Sequence, residues 1–214
     1  MHYLLLLLFA ASFSLDTKPN HNRVVTVSPL SEFSEVWNDP KYQSCNTAID
    51  ASYMNDEEKK IIYILNLARA YPKLFCKTVL LQYPEYIDRS ELADTACFKS
   101  LVNTMNLMKP LKPLLPDVRC FNSAWCHAYS SGQVPYDGHE RTDSCLATQY
   151  YNGECCDYNN DKALDIVLSL LIDEGVETLG HRKICLPPTE PSAYPYNPTS
   201  PGIPMLYWIF IINR

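Results

Sequence analysis

The sequence predicts a mixed α/β fold built in layers, on three observations. Segments between residues 55 and 174 repeat apolar side chains at helical spacing, and a continuous apolar run rich in aromatic and β-branched residues stands at Met205–Ile212. The composition, 47% hydrophobic and 20% charged, is that of a folded domain rather than a disordered chain. Helices that precede a late strand suit an α/β layer structure. With 214 residues there is room for one core-bearing domain of ordinary size, or such a domain with a tail.

Residues 4–15, LLLLLFAASFSL, follow a very short polar start and end in small residues suited to cleavage, so residues 1–14 read as a signal peptide. The start carries His2 but no Lys or Arg, which leaves an uncleaved anchor as the alternative; the run is too short to span a bilayer of about 30 Å. Residues 15–53, polar and turn-rich with Pro19, Pro29 and Pro40, read as an N-terminal extension. The main domain is expected over 54–212.

Its first helix runs from Asn55 to Ala70. Asn55 and Glu58 form an N-x-x-E capping box, Ile61, Ile62, Leu65 and Arg69 share one face, and Pro72 stops the run. A second helix, Asp94–Met108, places Phe98, Leu101, Met105 and Met108 on a common side, and Pro110, Pro113 and Pro116 break it. A third, Asp117–Ser130, is expected to turn Val118, Phe121, Trp125 and Ala128 inward, with His127 about 200° round from Trp125. A fourth, Asp161–Glu174, buries Ala163, Val167, Leu170 and Leu171. Pro187–Pro204, with seven prolines, reads as a long irregular connection, and Met205–Ile212 as a strand buried on both faces.

The formal charge of −6, with no Lys/Arg cluster to trace a phosphate backbone, excludes a nucleic-acid partner. Nine cysteines fit an exported, extracellular protein in which disulfide bonds supplement a core, and because nine is odd at least one thiol is free or pairs between chains. No paired CxxC spacing marks a structural zinc site, and no G-x-S-x-G marks a nucleophile elbow. Cys126 and His127 are neighbours, but adjacent helical side chains diverge by about 100° and do not face each other.

The polar residues that could carry chemistry are His139 in GHERTD, Glu154 in GEC, Asp173 and Glu174 in LIDEG, and His181 in GHRK. Each of the two histidines follows a glycine at the edge of an expected element, where the backbone is free to present the next side chain to a cleft. Two imidazoles with one or two carboxylates suit a divalent cation or proton transfer. His139 and His181 do not stand at i and i+4, so spacing alone does not bring them together, and a surface or structural role stays open.

The segments NLARAYPKLF, AWCHAYSSGQVPYDGHER, GECCDY and LSLLIDEGVETLGHRKICL, in that order over roughly residues 54–186, resemble the CAP superfamily, also called the SCP/TAPS or cysteine-rich secretory protein domain, in its bacterial-type branch. The resemblance implies a three-layer α/β/α sandwich with a cleft lined by two histidines and two acids. Those positions fall on His139, Glu154, His181 and one of Asp173 or Glu174, with Glu174 preferred. His139 and His181 are the metal ligands it implies, for a divalent cation such as Zn2+. His127 is expected to be structural, and Arg182 either braces a carboxylate or sits exposed at a helix end. Cys155 departs from the family's GEN motif, leaving Cys155 and Cys156 open to disulfide formation, and beyond Cys185 only Met205–Ile212 remains as a closing strand.

The function expected is that of a secreted, non-enzymatic binding module that is not an integral membrane protein, with a metal-binding cleft and an apolar groove for a lipid, sterol or peptide, or an extracellular protein partner. The alternatives are a metal-assisted extracellular hydrolase with Glu154 or Glu174 as general base, and a disulfide-stabilised interaction protein with a degenerate cavity.

Overall fold

The computed structural model describes residues 27–133, 138–147, 149 and 153–187, and the backbone of 208–212. The expected leader at 1–14, most of the connection at 187–204 and residues 205–207 of the closing run lie outside the described residues.

Helix α1, Asp56–Ala70, starts as its sequence requires. The Asn55 side chain accepts the Glu58 N–H at 2.9 Å while Glu58 accepts the Asn55 N–H at 2.7 Å, so two otherwise orphaned donors are satisfied reciprocally. Every residue from Ile61 to Arg69 is buried, which makes α1 a central helix rather than a surface one. Pro72 ends it and opens α2, Pro72–Thr78, where its missing N–H costs nothing.

The other central helix, α7, spans Ala163–Ile172 and packs against α1. Ala163, Val167, Leu170 and Leu171 are buried as the periodicity predicts, and only Asp165 and Ser169 escape full burial. No residue at its own start caps it. Glu57 of α1 instead accepts the Ala163 N–H at 3.1 Å, a tertiary cap that sets the two helices in register.

Residues 28–54 add to this core through two short 3-10 helices, Glu35–Asn38 and Pro40–Cys45. Leu30, Trp37, Tyr42 and Cys45 are buried in the main cluster. Trp37 lies edge-on to Phe75 with ring centroids 6.4 Å apart and donates through Nε1 to Thr78 Oγ1 at 3.0 Å. Tyr42 meets Tyr71 edge-on at 4.8 Å.

Two polar residues on α1 tie distant segments together. Asn66, fully buried, donates to the carbonyls of Cys45 at 3.0 Å and Leu114 at 3.1 Å and accepts the Leu114 N–H at 2.7 Å. Arg69 donates to the Lys112 carbonyl at 3.3 and 3.2 Å and to the Cys185 carbonyl. The proline-rich stretch after residue 108 forms no helix or strand, so these side chains supply partners its own backbone lacks.

After α3, Tyr83–Tyr86, the second expected helix appears as α4, Ala96–Leu107, capped by Thr95, whose hydroxyl accepts the Phe98 N–H; Asp94 closes the preceding 3-10 turn. Phe98, Leu101 and Met105 are buried and Met108 is partly buried. Helix α5, Val118–Gly132, begins at the expected place, with Asp117 accepting the Arg119 N–H at 2.8 Å. It turns a different face inward. Cys120, Ser123, Ala124, His127 and Ser131 are buried, whereas Trp125 is 57% and Tyr129 59% exposed, their rings stacked at 5.2 Å. Both faces carry spacings of three and four, and what selects the polar one is the buried polar partner it finds on the next elements. Cys126 bonds to Cys145 of α6, Asp143–Leu146.

The three-layer α/β/α sandwich is not the architecture. The described residues are mainly helical. Strand β1, Glu154–Tyr158, pairs in parallel with β2, Trp208–Ile212, in a register that sets Glu154 opposite Trp208 and Tyr158 opposite Ile212. Two five-residue strands make no sheet broad enough for helices to cover both faces. The space a central sheet would fill is taken by α1 and α7, and α8, Gly180–Cys185, follows α7 through one short turn. Among the described residues no helix is long and apolar enough to cross a membrane.

Replacing Asn66 by Leu keeps the volume but strands the Leu114 N–H and the Cys45 carbonyl, at about 1–3 kcal/mol for each buried group left unpaired, while the Leu114 carbonyl keeps the Thr47 hydroxyl at 2.6 Å. The urea midpoint of N66L is expected to fall well below that of wild type, whereas an unchanged midpoint would deny the clamp any role in stability.

Candidate functional site

Glu154 opens β1 with its side chain almost wholly buried, and three groups converge on it. His139 Nδ1 lies 2.8 Å from Oε1; a carboxylate only accepts, so Nδ1 carries the hydrogen. Arg141 donates through Nη2 to Oε2 and through Nη1 to the Ser123 carbonyl at 3.0 Å and its hydroxyl at 3.2 Å. His127 Nε2 stands 3.8 Å from Oε1 and 2.9 Å from the Gly138 carbonyl. The Glu154 charge is thus matched inside the protein by a buried guanidinium that also ties the 138–141 segment to α5.

A second imidazole–carboxylate pair stands beside the first. His181 Nδ1 is 2.8 Å from Asp173 Oδ1, and Asp173 Oδ2 accepts the Arg182 backbone N–H at 3.2 Å. The rings of His139 and His181 lie 6.3 Å apart and are tilted by 44°. His139, Glu154, Asp173 and His181 therefore form one group.

Glu174 is not in it. Asp173 adopts a left-handed backbone, φ 59°, at the end of α7, a conformation Asp tolerates better than most residues. The turn sends the next side chain to the surface, where Glu174 meets Arg89 at 3.2 Å. The preference for Glu174 is thus corrected in favour of Asp173. Leu179 also takes a left-handed φ of 50°, and for an unbranched-β but bulky residue directly before Gly180 and His181 this is local strain of about 1–2 kcal/mol.

Arg182 is neither a carboxylate brace nor exposed. Its guanidinium is buried and donates to the carbonyls of Leu171 at 2.6 Å, Ile172 at 2.7 Å and Cys97 at 2.9 Å, and to Ser100 Oγ at 2.6 Å. It caps the end of α7 and locks α8 onto α4, which holds His181 in place.

Three residues of the site were not singled out from sequence: His127 as a site member, Arg141 and Cys156. A signal existed for two of them. Cys156 follows Glu154 by two residues on a strand and so shares its face, and Arg141 stands two residues after His139 in the same GHER segment. Cys156 Sγ lies 3.7 Å from His139 Nδ1 and 3.9 Å from Glu154 Oε1. His127, Glu154 and Cys156, all buried, each offer one ligand atom within 4.8 Å of the others, a group able to hold a metal ion.

Burial pushes the Cys156 thiol up to about 12, with the Glu154 carboxylate adding to the effect. On the other face of β1 the neighbouring Cys185 thiol, then burial, raise Cys155, which packs under α8 with its Sγ 3.8 Å from the His181 carbonyl. Asp157, held by Asn160 Nδ2 at 2.8 Å and by Ser169, is raised above the ordinary 3.8 of an aspartate, chiefly by burial.

No family model, no curated protein and no solved structure matches this chain. The CAP resemblance rests on the quoted motifs alone.

Two outcomes follow from this geometry. Asp173→Ala removes the acceptor of a buried N–H and the brace of His181, and a loss of about 1–3 kcal/mol is expected in urea unfolding, against no more than about 1 kcal/mol for Glu174→Ala, whose ion pair is solvent-screened. Because the Asp157 carboxyl is raised in the folded state, the native protein binds that proton more tightly than the unfolded chain. Its penalty is absent below the unfolded value near 3.8 and complete above the folded one. Asp157→Asn should therefore raise the urea midpoint at neutral pH and lose that gain on acidification; a gain that persists below pH 3.8 would contradict the assignment.

Proposed function

We propose that this protein is a secreted, non-enzymatic binding module that holds a divalent cation between His139 and His181. One observation carries the reading: each imidazole has its Nδ1 held by a buried carboxylate at 2.8 Å, and the two rings are neighbours at 6.3 Å. A carboxylate on Nδ1 fixes the ring and raises the basicity of Nε2, the arrangement that supports imidazole ligands around a metal. Imidazole donors suit Zn2+. On each ring the carboxylate engages Nδ1 and leaves Nε2, so a metal bond through Nε2 displaces neither brace.

Arg141 favours binding over hydrolysis. It neutralises Glu154 from the side opposite His139, which makes that carboxylate a brace rather than a base for a metal-bound water. The apolar leader at residues 4–15 and the Cys126–Cys145 disulfide support export to an oxidising compartment.

Zinc titration of the full-length protein by calorimetry tests the reading. His139→Ala/His181→Ala is expected to abolish one class of site, and Asp173→Asn to weaken it by about 10–100-fold through the lost brace. Unchanged stoichiometry and affinity in the double variant would overturn it.

A further inference from the structure

We infer that the protein carries a second metal site, buried beneath the histidine pair, whose ligands are His127 Nε2, Glu154 Oε1 and Cys156 Sγ. It uses neither His181 nor Asp173 and does not depend on the His139–His181 reading.

The distances support it. Zinc bond lengths of about 2.0–2.3 Å put tetrahedral ligand atoms about 3.3–3.6 Å apart. His127 Nε2 and Cys156 Sγ stand 3.8 and 3.9 Å from Glu154 Oε1, and all three atoms lie within 4.8 Å of one another. A contraction of a few tenths of an ångström at those two edges, with the third pair of atoms already within 4.8 Å, brings them onto one ion. The backbone already has the required spacing, since Glu154 and Cys156 share a strand face and His127 projects from the buried side of α5.

The surrounding hydrogen bonds can rearrange without stranding a group. His127 Nε2 is 2.9 Å from the Gly138 carbonyl, which also accepts from the Tyr158 hydroxyl at 3.2 Å. With the His127 proton moved to Nδ1, it faces Ser131 Oγ at 3.4 Å, and the Gly138 carbonyl keeps Tyr158. Arg141 occupies Glu154 Oε2, leaving Oε1 for the ion alongside the His139 contact. His139, more than half exposed, is the solvent-facing member of the cluster and marks the side from which an ion enters.

The ligand class is set by the sulfur. A thiolate with one imidazole and one carboxylate selects a borderline ion such as Zn2+ or Co2+ over Mg2+ or Ca2+. On binding, the Cys156 S–H bond breaks, the Sγ–metal bond forms from the sulfur lone pair, and the proton leaves to solvent; nothing is oxidised.

Cobalt reports this site separately from the cleft, because only a thiolate ligand gives intense near-ultraviolet sulfur-to-cobalt charge-transfer absorption. Full-length protein, handled anaerobically with its Cys126–Cys145 disulfide intact, is titrated with Co2+. The expected band is present in wild type, unchanged in His181→Ala and Cys120→Ser, and absent in Cys156→Ser. X-ray absorption on the zinc form should show one sulfur at about 2.3 Å. Because Cys156→Ser could disturb packing, the zinc measurement on wild type stands by itself. No band from wild type, a band that survives Cys156→Ser, a band lost with His181, a zinc shell without sulfur, or Cys156 recovered in a disulfide would each overturn the proposal.

Discussion

The fold depends on two polar side chains in the buried, otherwise apolar stretch of α1. Asn66 and Arg69, one turn apart on α1, reach three segments distant in sequence: the N-terminal 3-10 region at Cys45, the proline-rich stretch at Lys112–Leu114, and the end of α8 at Cys185. Prolines remove backbone donors and forbid regular structure, so the 109–116 stretch has no ladder of its own to join. Side-chain amide and guanidinium groups supply the missing partners. Burying them is tolerable because each is fully engaged, and removing one would leave carbonyls and an N–H dry and unpaired.

The same device recurs where the site is built. Arg182, like Arg69, is a buried guanidinium that joins separate segments: it collects the Leu171 and Ile172 carbonyls that the end of α7 leaves open and reaches the Cys97 carbonyl in the first turn of α4. Through it α4, α7 and α8 become one rigid body carrying His181. Arg141 does likewise for Glu154 and Ser123, joining β1 to α5 and setting the height of His139. The two imidazoles are thus oriented by carboxylates that are themselves anchored, which leaves the ring positions little freedom.

Polarity also explains the orientation of α5. Its apolar residues at Val118, Trp125 and Tyr129 face outward, while Ser123, His127 and Ser131 are buried. Hydrophobic burial alone would turn the helix the other way. The buried face is fixed by what waits for it: the Arg141 guanidinium on Ser123, the Gly138 carbonyl on His127, and the small side chains of Cys120 and Ala124 that fit against Cys156. A polar cluster that is satisfied as a set can outweigh the transfer of a few apolar side chains, because breaking it would leave several groups unpaired at once.

Helix extents were legible in the sequence because caps and breakers act locally. The Asn55–Glu58 box, Asp117, Pro72 and the prolines after Met108 place the ends of α1, α4 and α5 within a residue or two, and the strand at Trp208–Ile212 follows from its β-branched run. The motif residues His139, Glu154 and His181 were legible too, as histidines after glycine and as the acid of the GEC motif. Tertiary structure decided the rest. The expectation of a broad central sheet failed because that space is filled by two helices, one of them α7, buried on nearly every side, and no local pattern reveals what a helix packs against. The choice of Asp173 over Glu174 turned on one left-handed residue, a backbone state that the following turn imposes. Which face of α5 is inside, and hence that His127 and Cys156 meet at Glu154, depended on partners on later elements, Gly138 11 residues from His127, Arg141 18 from Ser123, and Glu154 and Cys156 beyond them, outside the reach of helical periodicity.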